Sequence, residues 1–324
     1  MKNWFRVGLL LLLLPLLLCA CGGRDSPPME TDGDSLRVVT TIFPLYDWTR
    51  QILREEAGTV ELTLLLDDGV DLHSFQPTVD DMVQIAECDL FVYVGGESDE
   101  WVEDALTATK SETRVALNLM DVIGDRAREE EIVEGMQAED DEEEEGALDE
   151  HIWLSLKNAA LCCEAIAEGL CELDPDHADA YRENMAAYRE ELSRLDAQYE
   201  SAVREASVPV LLFGDRFPFR YLTEDYHLTY YAAFAGCSAE TEASFETVLF
   251  LAGKVDEWNL PAVLTLEKSD GRIARTVVEN TARKSAKILQ MDSMQSTTAH
   301  DLQNGAAYLT AMEHNLEVLQ EAVR

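Results

Sequence analysis

Residues 66–78 read LDDGVDLHSFQPT and connect a predicted strand to a predicted helix. The apolar alternation of residues 60–66 is typical of a strand, and Thr78 is a helix N-cap ahead of residues 79–86. His73 therefore lies on a loop at the carboxyl end of a strand, where open α/β sheets bind ligands. A single histidine is more often structural than functional, so His73 becomes a candidate ligand only through the residues that accompany it.

The same alternation of strands and helices occupies both halves of the chain. Strands are predicted at 36–41, 60–66, 90–94 and 114–118 in the first half, and at 208–213, 229–235, 262–266 and 286–290 in the second. Short apolar strands that alternate with helices are typical of parallel sheets covered on both faces. The sequence therefore predicts an α/β fold with two mainly parallel sheets.

One long helix is predicted between the two halves. Asp174 and Pro175 form a strong helix start, and the next thirty residues or so, about 45 Å of helix, contain neither proline nor glycine. We therefore expect an N-terminal lobe at 36–173, a rigid linker helix at 174–206 and a C-terminal lobe at 207–324. A rigid linker favours small lobe motion.

The amino terminus is typical of an exported protein. A short basic head precedes the apolar residues 7–18, a run shorter than the roughly 20 residues of a membrane span. Residues 18–21, LCAC, resemble the lipobox of bacterial lipoproteins, in which the last cysteine is lipidated. We expect a signal peptide at 1–20, a lipid on Cys21 and a flexible tether at 21–35. An ordinary cleaved signal or a retained anchor is the alternative.

The chain is strongly acidic, with 64 acidic and 25 basic residues and a formal net charge of −39. Such a charge repels nucleic acid and anionic membrane surfaces, and it attracts cations. Residues 125–148, which include the unbroken acidic run 139–145, are predicted to form a mobile surface loop. This loop either concentrates cations or serves as a solvated spacer.

Five cysteines remain after signal removal and lipidation, namely Cys88, Cys162, Cys163, Cys171 and Cys237. An odd number in an exported protein permits at most two disulfides, and the pairing stays open. Three of the five fall in one predicted helix without the paired spacing of a zinc knuckle. We expect buried thiols or one disulfide, and no metal centre built on cysteine.

Polar side chains follow predicted strands at their carboxyl ends in both halves. They are His73 and His151 in the first half, and Asp215 with Arg216, Glu267 and Asp292 in the second. If the two sheets face each other with these edges inward, the residues line one cleft. Imidazole nitrogens and carboxylate oxygens together suit zinc, manganese or iron.

Several of these segments resemble the zinc/manganese-type substrate-binding proteins of ABC transporters. The similarity is clearest in residues 69–77, GVDLHSFQP, and in residues 149–159, DEHIWLSLKNA. Residues 39–45, VTTIFPL, are similar to that family's first strand and helix. The resemblance covers about 36–323, and it implies two lobes joined by a rigid helix with a divalent cation held between them by four side chains.

The resemblance also implies which side chains bind the cation. It assigns His73 and His151 from the first lobe and Asp292 from the second. Glu267 stands where the family carries a glutamate after a strand of the second lobe.

The family's remaining ligand is a histidine or glutamate near the start of residues 213–222. This chain has Gly214 at or near that position, and the neighbouring Arg216 carries only hydrogen-bond donors. Asp215 is the candidate substitute, and Glu267 or a water molecule are the alternatives.

The function implied by the resemblance is that of a monomeric extracytoplasmic receptor without catalytic turnover. It would capture zinc, or alternatively manganese, and deliver the cation to an ABC permease in the membrane. A secreted metal-dependent hydrolase and a surface adhesion protein are the alternatives. The sequence has no HExxH helix, serine elbow or phosphate-binding glycine loop. We expect none of His177, His227, His300 and His314 to be a ligand.

Overall fold

The structure is a computed structural model that describes residues 35–54, 60–109, 111, 113–137, 147–238 and 242–324. The predicted signal peptide, the predicted lipidation site Cys21 and the acidic run 139–145 lie outside the described residues. Within the described ranges, no helix has both the length and the apolar character needed to cross a membrane.

The first half of the chain forms a four-stranded sheet whose paired strands are all parallel. Its strands are β1 (Leu36–Thr40), β2 (Val60–Leu64), β3 (Leu90–Tyr93) and β4 (Val115–Asn118), in the order β2-β1-β3-β4. The helices of this half are α1 (Phe43–Leu53), α2 (Val79–Glu87), α3 (Trp101–Ala108), α4 (Leu119–Ile123) and α5 (Leu156–Leu173).

After the long helix α6 (Ala178–Arg204), the second half forms another four-stranded parallel sheet. Its strands are β5 (Val210–Phe217), β6 (Thr229–Ala235), β7 (Ala262–Leu266) and β8 (Lys287–Met291), in the order β6-β5-β7-β8. The helices are α7 (Arg220–Tyr226), α8 (Phe245–Trp258), α9 (Arg272–Asn280), α10 (Ala299–Gln303) and α11 (Tyr308–Ala322). Two parallel sheets flanked by helices confirm the predicted fold class.

Helix α6 contacts elements of both halves. One face is a buried apolar stripe made of Tyr181, Met185, Tyr188, Leu192, Leu195 and Tyr199. Asn184 donates a hydrogen bond to the carbonyl of Ile52 in α1 (2.9 Å), and the Tyr199 hydroxyl donates to the carbonyl of Met312 in α11 (2.7 Å). The helix begins at Ala178, a few residues later than expected. The predicted lobe limits stay a prediction.

The chain that follows β8 returns to the first half. The Trp153 indole N–H donates to the Ser293 carbonyl (2.8 Å), and the Tyr308 hydroxyl donates to the Trp153 carbonyl (2.6 Å). The backbone N–H of Tyr308 donates to the buried Asp47 carboxylate at 2.8 Å. Buried polar groups rarely go without partners, so these bonds fix the β8–α11 connection against the first sheet and its helices.

The predicted acidic loop is partly ordered at its base. Glu129 pairs with Leu148 in an isolated antiparallel bridge, and the backbone N–H of Asp149 donates to the Arg128 carbonyl (2.8 Å). The backbone N–H of Gln137 donates to a carbonyl of β6 at 2.9 Å. These residues form a stem against the second sheet, and the mobility of the loop from 125 to 148 stays a prediction.

Strand β5 is longer than the predicted strand 208–213. Its pairing with β6 changes register between Phe213 and Arg216, and the strand continues through this irregularity to Phe217. Asp215 and Arg216 consequently lie inside β5. The expectation that they follow the end of the strand is wrong, because the apolar pattern breaks at the irregularity while the strand does not.

Gly214 lies in this irregular part of β5, pressed against helix α9. A Cβ at this position would lie 2.5 Å from Ala274 Cα and 2.7 Å from the Ala274 nitrogen. Those contacts are with helix backbone, which cannot rotate away as a side chain would. Any side chain at position 214 would therefore start towards the helix layer, and the glycine is explained by packing.

Gly214→Ala should destabilise the fold by about 1–3 kcal/mol, since overpacking of this size displaces backbone. Gly253→Ala is the matched control, because a Cβ at Gly253 in the middle of α8 has no atom within 4 Å. Alanine there should stabilise by roughly 0.5–1 kcal/mol. Urea unfolding of both variants measures the difference. Equal stability for the two variants would contradict the packing explanation.

Candidate metal centre

His73 is held by a short turn after β2. It sits in the 3-10 turn Leu72–Ser74, where the Asp71 carboxylate accepts the backbone N–H of His73 at 3.1 Å. The Nδ1 atom of His73 lies 2.7 Å from Ser98 Oγ and 3.5 Å from a Glu150 carboxylate oxygen. These contacts orient the ring so that Nε2 faces the second half of the chain.

His151 is completely buried, with a relative exposure of 0%. The Asp149 carboxylate accepts the backbone N–H of His151 (2.9 Å) and also bonds its Nδ1 (3.0 Å). On the other side, Gly236 leaves room for the ring, because a Cβ there would lie 2.9 Å from His151 Cε1. A carboxylate from its own loop and a glycine from the second sheet therefore set the ring position.

The two imidazoles meet through their Nε2 atoms, which lie 3.3 Å apart. Two nitrogens on one tetrahedral zinc, each with a bond of about 2.0–2.1 Å, would be about 3.3–3.4 Å apart. Each Nδ1 is engaged by a polar side chain, as is usual for metal-binding histidines. The spacing of the two Nε2 atoms thus fits the distance between two ligands of one tetrahedral cation.

Cys237 completes a group of three ligand atoms at this place. Among the described residues, the Cys237 sulfur and one ring nitrogen from each of His73 and His151 lie within 4.8 Å of one another. Cys237 follows β6 directly, so it leaves a strand at its carboxyl end as the other candidates were selected to do. The five described cysteines are free thiols. The sequence analysis did not select Cys237 as a ligand, and its expectation of no metal centre built on cysteine stays a prediction.

Gln295 is a second residue that the sequence analysis missed. Its amide Nε2 lies 3.0 Å from His151 Nε2 and 3.3 Å from His73 Nε2. Its Oε1 accepts a hydrogen bond from the Ser293 hydroxyl at 3.1 Å. The amide therefore occupies the point that both imidazoles face, and a cation bound there requires the amide to move or rotate. The one sequence feature that could have identified Gln295 is its position three residues after the predicted ligand Asp292.

The carboxylates predicted from the second half lie outside this group of three. Both Asp215 oxygens accept backbone N–H groups, from Arg216 (2.9 Å) and from Leu266 (3.3 Å). The Glu267 oxygens accept the backbone N–H and the hydroxyl of Ser293, each at 2.7 Å. Hydrogen bonds of this kind position the loop after β8.

Asp292 has a similar structural contact. One of its carboxylate oxygens accepts the backbone N–H of Met294 at 2.8 Å. Its own backbone N–H donates to the Asn315 side chain at 2.7 Å. The loop that carries Gln295 is therefore fastened on both sides.

Arg216 lies across the cleft from the His73 loop. Its guanidinium forms an ion pair with Asp71 at 3.0 Å and also donates to the Ser238 carbonyl at 3.5 Å. The guanidinium has no acceptor atom for a cation. It neutralises Asp71 and ties the His73 loop to the turn that contains Cys237.

The pKa values of His73 and His151 are shifted in opposite directions by burial and by neighbouring charges. Burial, and then the neighbouring His151, lower the pKa of His73 to about 4. Burial would also lower the pKa of His151, but the adjacent Asp149 carboxylate outweighs it and leaves that pKa raised. Burial, followed by repulsion from Asp292, raises the pKa of Glu267 to about 7. Perturbed groups of this kind concentrate at functional sites.

The other histidines lie away from the group. His177 bonds Asp174 at the start of α6 (2.7 Å), and His300 contacts the Asn304 side chain (3.0 Å). His227 ends α7 in the left-handed conformation, and His314 is exposed on α11.

Two parallel sheets, a long joining helix and imidazoles at the sheet edges define a class, the two-lobed solute-binding proteins for metal ions. The chain matches the family model described as zinc-uptake complex component A, periplasmic (ZnuA), over residues 38–322. It therefore belongs to this family, and the resemblance noted in the sequence is confirmed.

Individual relatives agree with this assignment. The chain is 27% identical over 315 residues to the high-affinity zinc uptake system protein ZnuA of Bacillus subtilis, with 95% of this chain and 94% of the relative covered. It is 28% identical over 314 residues to the zinc-binding lipoprotein AdcA of Streptococcus pneumoniae, covering 97% of this chain but only 60% of the relative. The chain therefore spans little more than half of that longer protein.

Solved structures share the architecture. The Zn(II)-bound ZnuA-like domain of Streptococcus pneumoniae AdcA superimposes with a TM-score of 0.71 at 25% identity, covering 89% of this chain and 99% of that domain. The laminin-binding protein Lmb of Streptococcus agalactiae, titled a bifunctional adhesin and metal transporter, has a TM-score of 0.70 at 21% identity, covering 89% of this chain and 100% of Lmb. At that identity the likeness shows the fold alone.

Asp149→Asn should weaken zinc binding about 10–100-fold, because it removes the carboxylate that orients the His151 ring. Competitive titration against a chelator measures the loss. Asp174→Asn is the matched control, since it removes a comparable histidine contact, to His177, far from the paired imidazoles. Equal affinities for the two variants would show that the Asp149 contact does not support binding.

Proposed function

We propose that this chain is the extracytoplasmic metal receptor of an ABC importer, with a divalent cation as its cargo. The supporting observation is the 3.3 Å approach of His73 Nε2 and His151 Nε2, with both Nδ1 atoms engaged. Membership in the zinc-uptake family supports the same conclusion. Capture and release require no chemical turnover, so we propose no enzymatic activity for the chain.

Zinc is the proposed cargo, and manganese is the alternative. Imidazole nitrogens suit zinc, whereas manganese favours oxygen ligands. The B. subtilis and S. pneumoniae relatives carry zinc in their names. The overall charge of −39 favours the approach of any cation, so selectivity has to come from the ligands.

His73 and His151 are the proposed ligands from the first half. Asp292, Asp215 and Glu267 stay predictions for the second half, because their oxygens hold backbone and side-chain hydrogen bonds that a metal would have to replace. A modest movement of the loop after β8 would bring a carboxylate closer to the imidazoles. Asp292 lies three residues from Gln295, which already contacts both rings.

The proposed location is the outer face of the cell membrane. Cys21 is the proposed lipid attachment site, and the chain would then present its cleft to a permease in the same membrane. S. pneumoniae AdcA is named a lipoprotein, which supports this location. We propose that the receptor acts as a monomer.

The chain that starts after Cys21 should bind one zinc ion tightly, and either His73→Ala or His151→Ala should weaken binding by more than about 100-fold. Loss of a ligand atom exceeds the 10–100-fold cost of losing an orienting partner. Metal analysis combined with competitive titration provides the measurement.

His314→Ala is the control, because His314 is exposed on α11, and its affinity should equal that of the unmodified chain. Absence of tight divalent binding by the unmodified chain would overturn the receptor function. Unchanged affinity in Asp215→Ala would remove Asp215 from the proposed ligands.

A further inference from the structure

We infer that the Cys237 thiolate is the third protein ligand of the bound cation. This inference rests on the proposed function and deepens it, because it assigns a ligand in the second half of the chain. The Cys237 sulfur lies within 4.8 Å of a nitrogen of His73 and of a nitrogen of His151. A sulfur and a nitrogen on one tetrahedral zinc are about 3.5 Å apart, so a closure of at most about 1.3 Å would bring the sulfur to bonding geometry.

The fold holds Cys237 at this place through both flanking residues. Gly236, the preceding residue, contacts the His151 ring so closely that a Cβ would lie 2.9 Å from Cε1. The carbonyl of Ser238, the following residue, accepts a hydrogen bond from Arg216 at 3.5 Å.

The backbone of Cys237 is also fastened to the first half of the chain. Its N–H donates to the Glu130 carboxylate at 3.2 Å, and Glu130 belongs to the stem of the acidic loop. The backbone that carries the thiol is thus held by contacts with both halves of the chain, as expected for a ligand that joins them.

Positions 214 and 216 in β5 cannot supply a ligand, which favours a ligand from the turn after the neighbouring strand β6. Position 214 in β5 faces the backbone of α9, so it has no room for a coordinating side chain. Arg216 is paired with Asp71 and cannot coordinate a cation. The carboxyl end of β6 lies beside β5 in the same sheet and delivers Cys237 to the same cleft.

A thiolate ligand restricts the cations that the site would bind tightly. Sulfur favours zinc and other softer metals, and it disfavours manganese and magnesium. On binding, the sulfur–hydrogen bond breaks, a metal–sulfur bond forms and the proton leaves to solvent, with no change in oxidation state. The gain is a charged ligand that partly neutralises the cation inside a buried site.

Cobalt(II) substitution tests the assignment on the chain that starts after Cys21. Cobalt(II) bound by thiolate has a sulfur-to-metal charge-transfer absorption in the near ultraviolet, whereas nitrogen and oxygen ligands alone give none. We expect this band for the unmodified chain and its loss in Cys237→Ser. Zinc affinity should fall by more than about 100-fold in Cys237→Ser, as for loss of any ligand atom.

Cys171→Ser is the matched control, because Cys171 is a partly exposed free thiol on α5. It should keep both the charge-transfer band and the zinc affinity. Tight cobalt and zinc binding by the unmodified chain without a charge-transfer band would overturn the thiolate ligand and leave the receptor function standing. Absence of any tight binding by the unmodified chain would overturn both. The cobalt(II) spectrum of the unmodified chain tests for a thiolate ligand even if Cys237→Ser folds poorly.

Discussion

The close approach of the His73 and His151 imidazoles is the interaction on which the rest of the site depends. The two Nε2 atoms lie 3.3 Å apart, within hydrogen-bond distance, and the Gln295 amide nitrogen contacts both of them. The adjacent residues Asp149 and Glu150 serve one ring each, at 3.0 Å and 3.5 Å from an Nδ1. Asp149 bonds His151 directly, whereas Glu150 acts on His73 through Ser98, because Glu150 accepts the Ser98 backbone N–H at 2.7 Å and the Ser98 hydroxyl contacts His73 Nδ1.

The second sheet closes the site with small residues and hydrogen bonds. Gly236 admits the His151 ring, and the loop after β8 is bonded to Trp153 through Ser293. Most of the apolar residues of both sheets belong to one continuous core around α6. Cation binding requires the Gln295 amide to move, and ligation by Asp215, Glu267 or Asp292 would in addition require their present hydrogen bonds to be replaced.

The sequence predicted most of the fold and two of the residues that meet in the candidate site. Strand and helix periodicity located β6 and β7 to the residue, and the spacing of polar residues after strands identified His73 and His151. The periodicity gave the wrong end for β5, because the strand continues through a register irregularity and therefore includes Asp215. Cys237 and Gln295 were missed because their proximity to the imidazoles arises from contacts between distant segments. The local signals were a position just after β6 for Cys237 and a position three residues after Asp292 for Gln295, and neither signal records those contacts.

Crystallography of the zinc-loaded chain, with anomalous scattering measured on both sides of the zinc absorption edge, tests the account most directly. The account predicts one strong zinc peak between the sheets, bonded to His73 Nε2 and His151 Nε2 at about 2.0–2.1 Å with Gln295 Nε2 displaced. A zinc peak located elsewhere, with the Gln295 amide still in contact with both rings, would contradict this account.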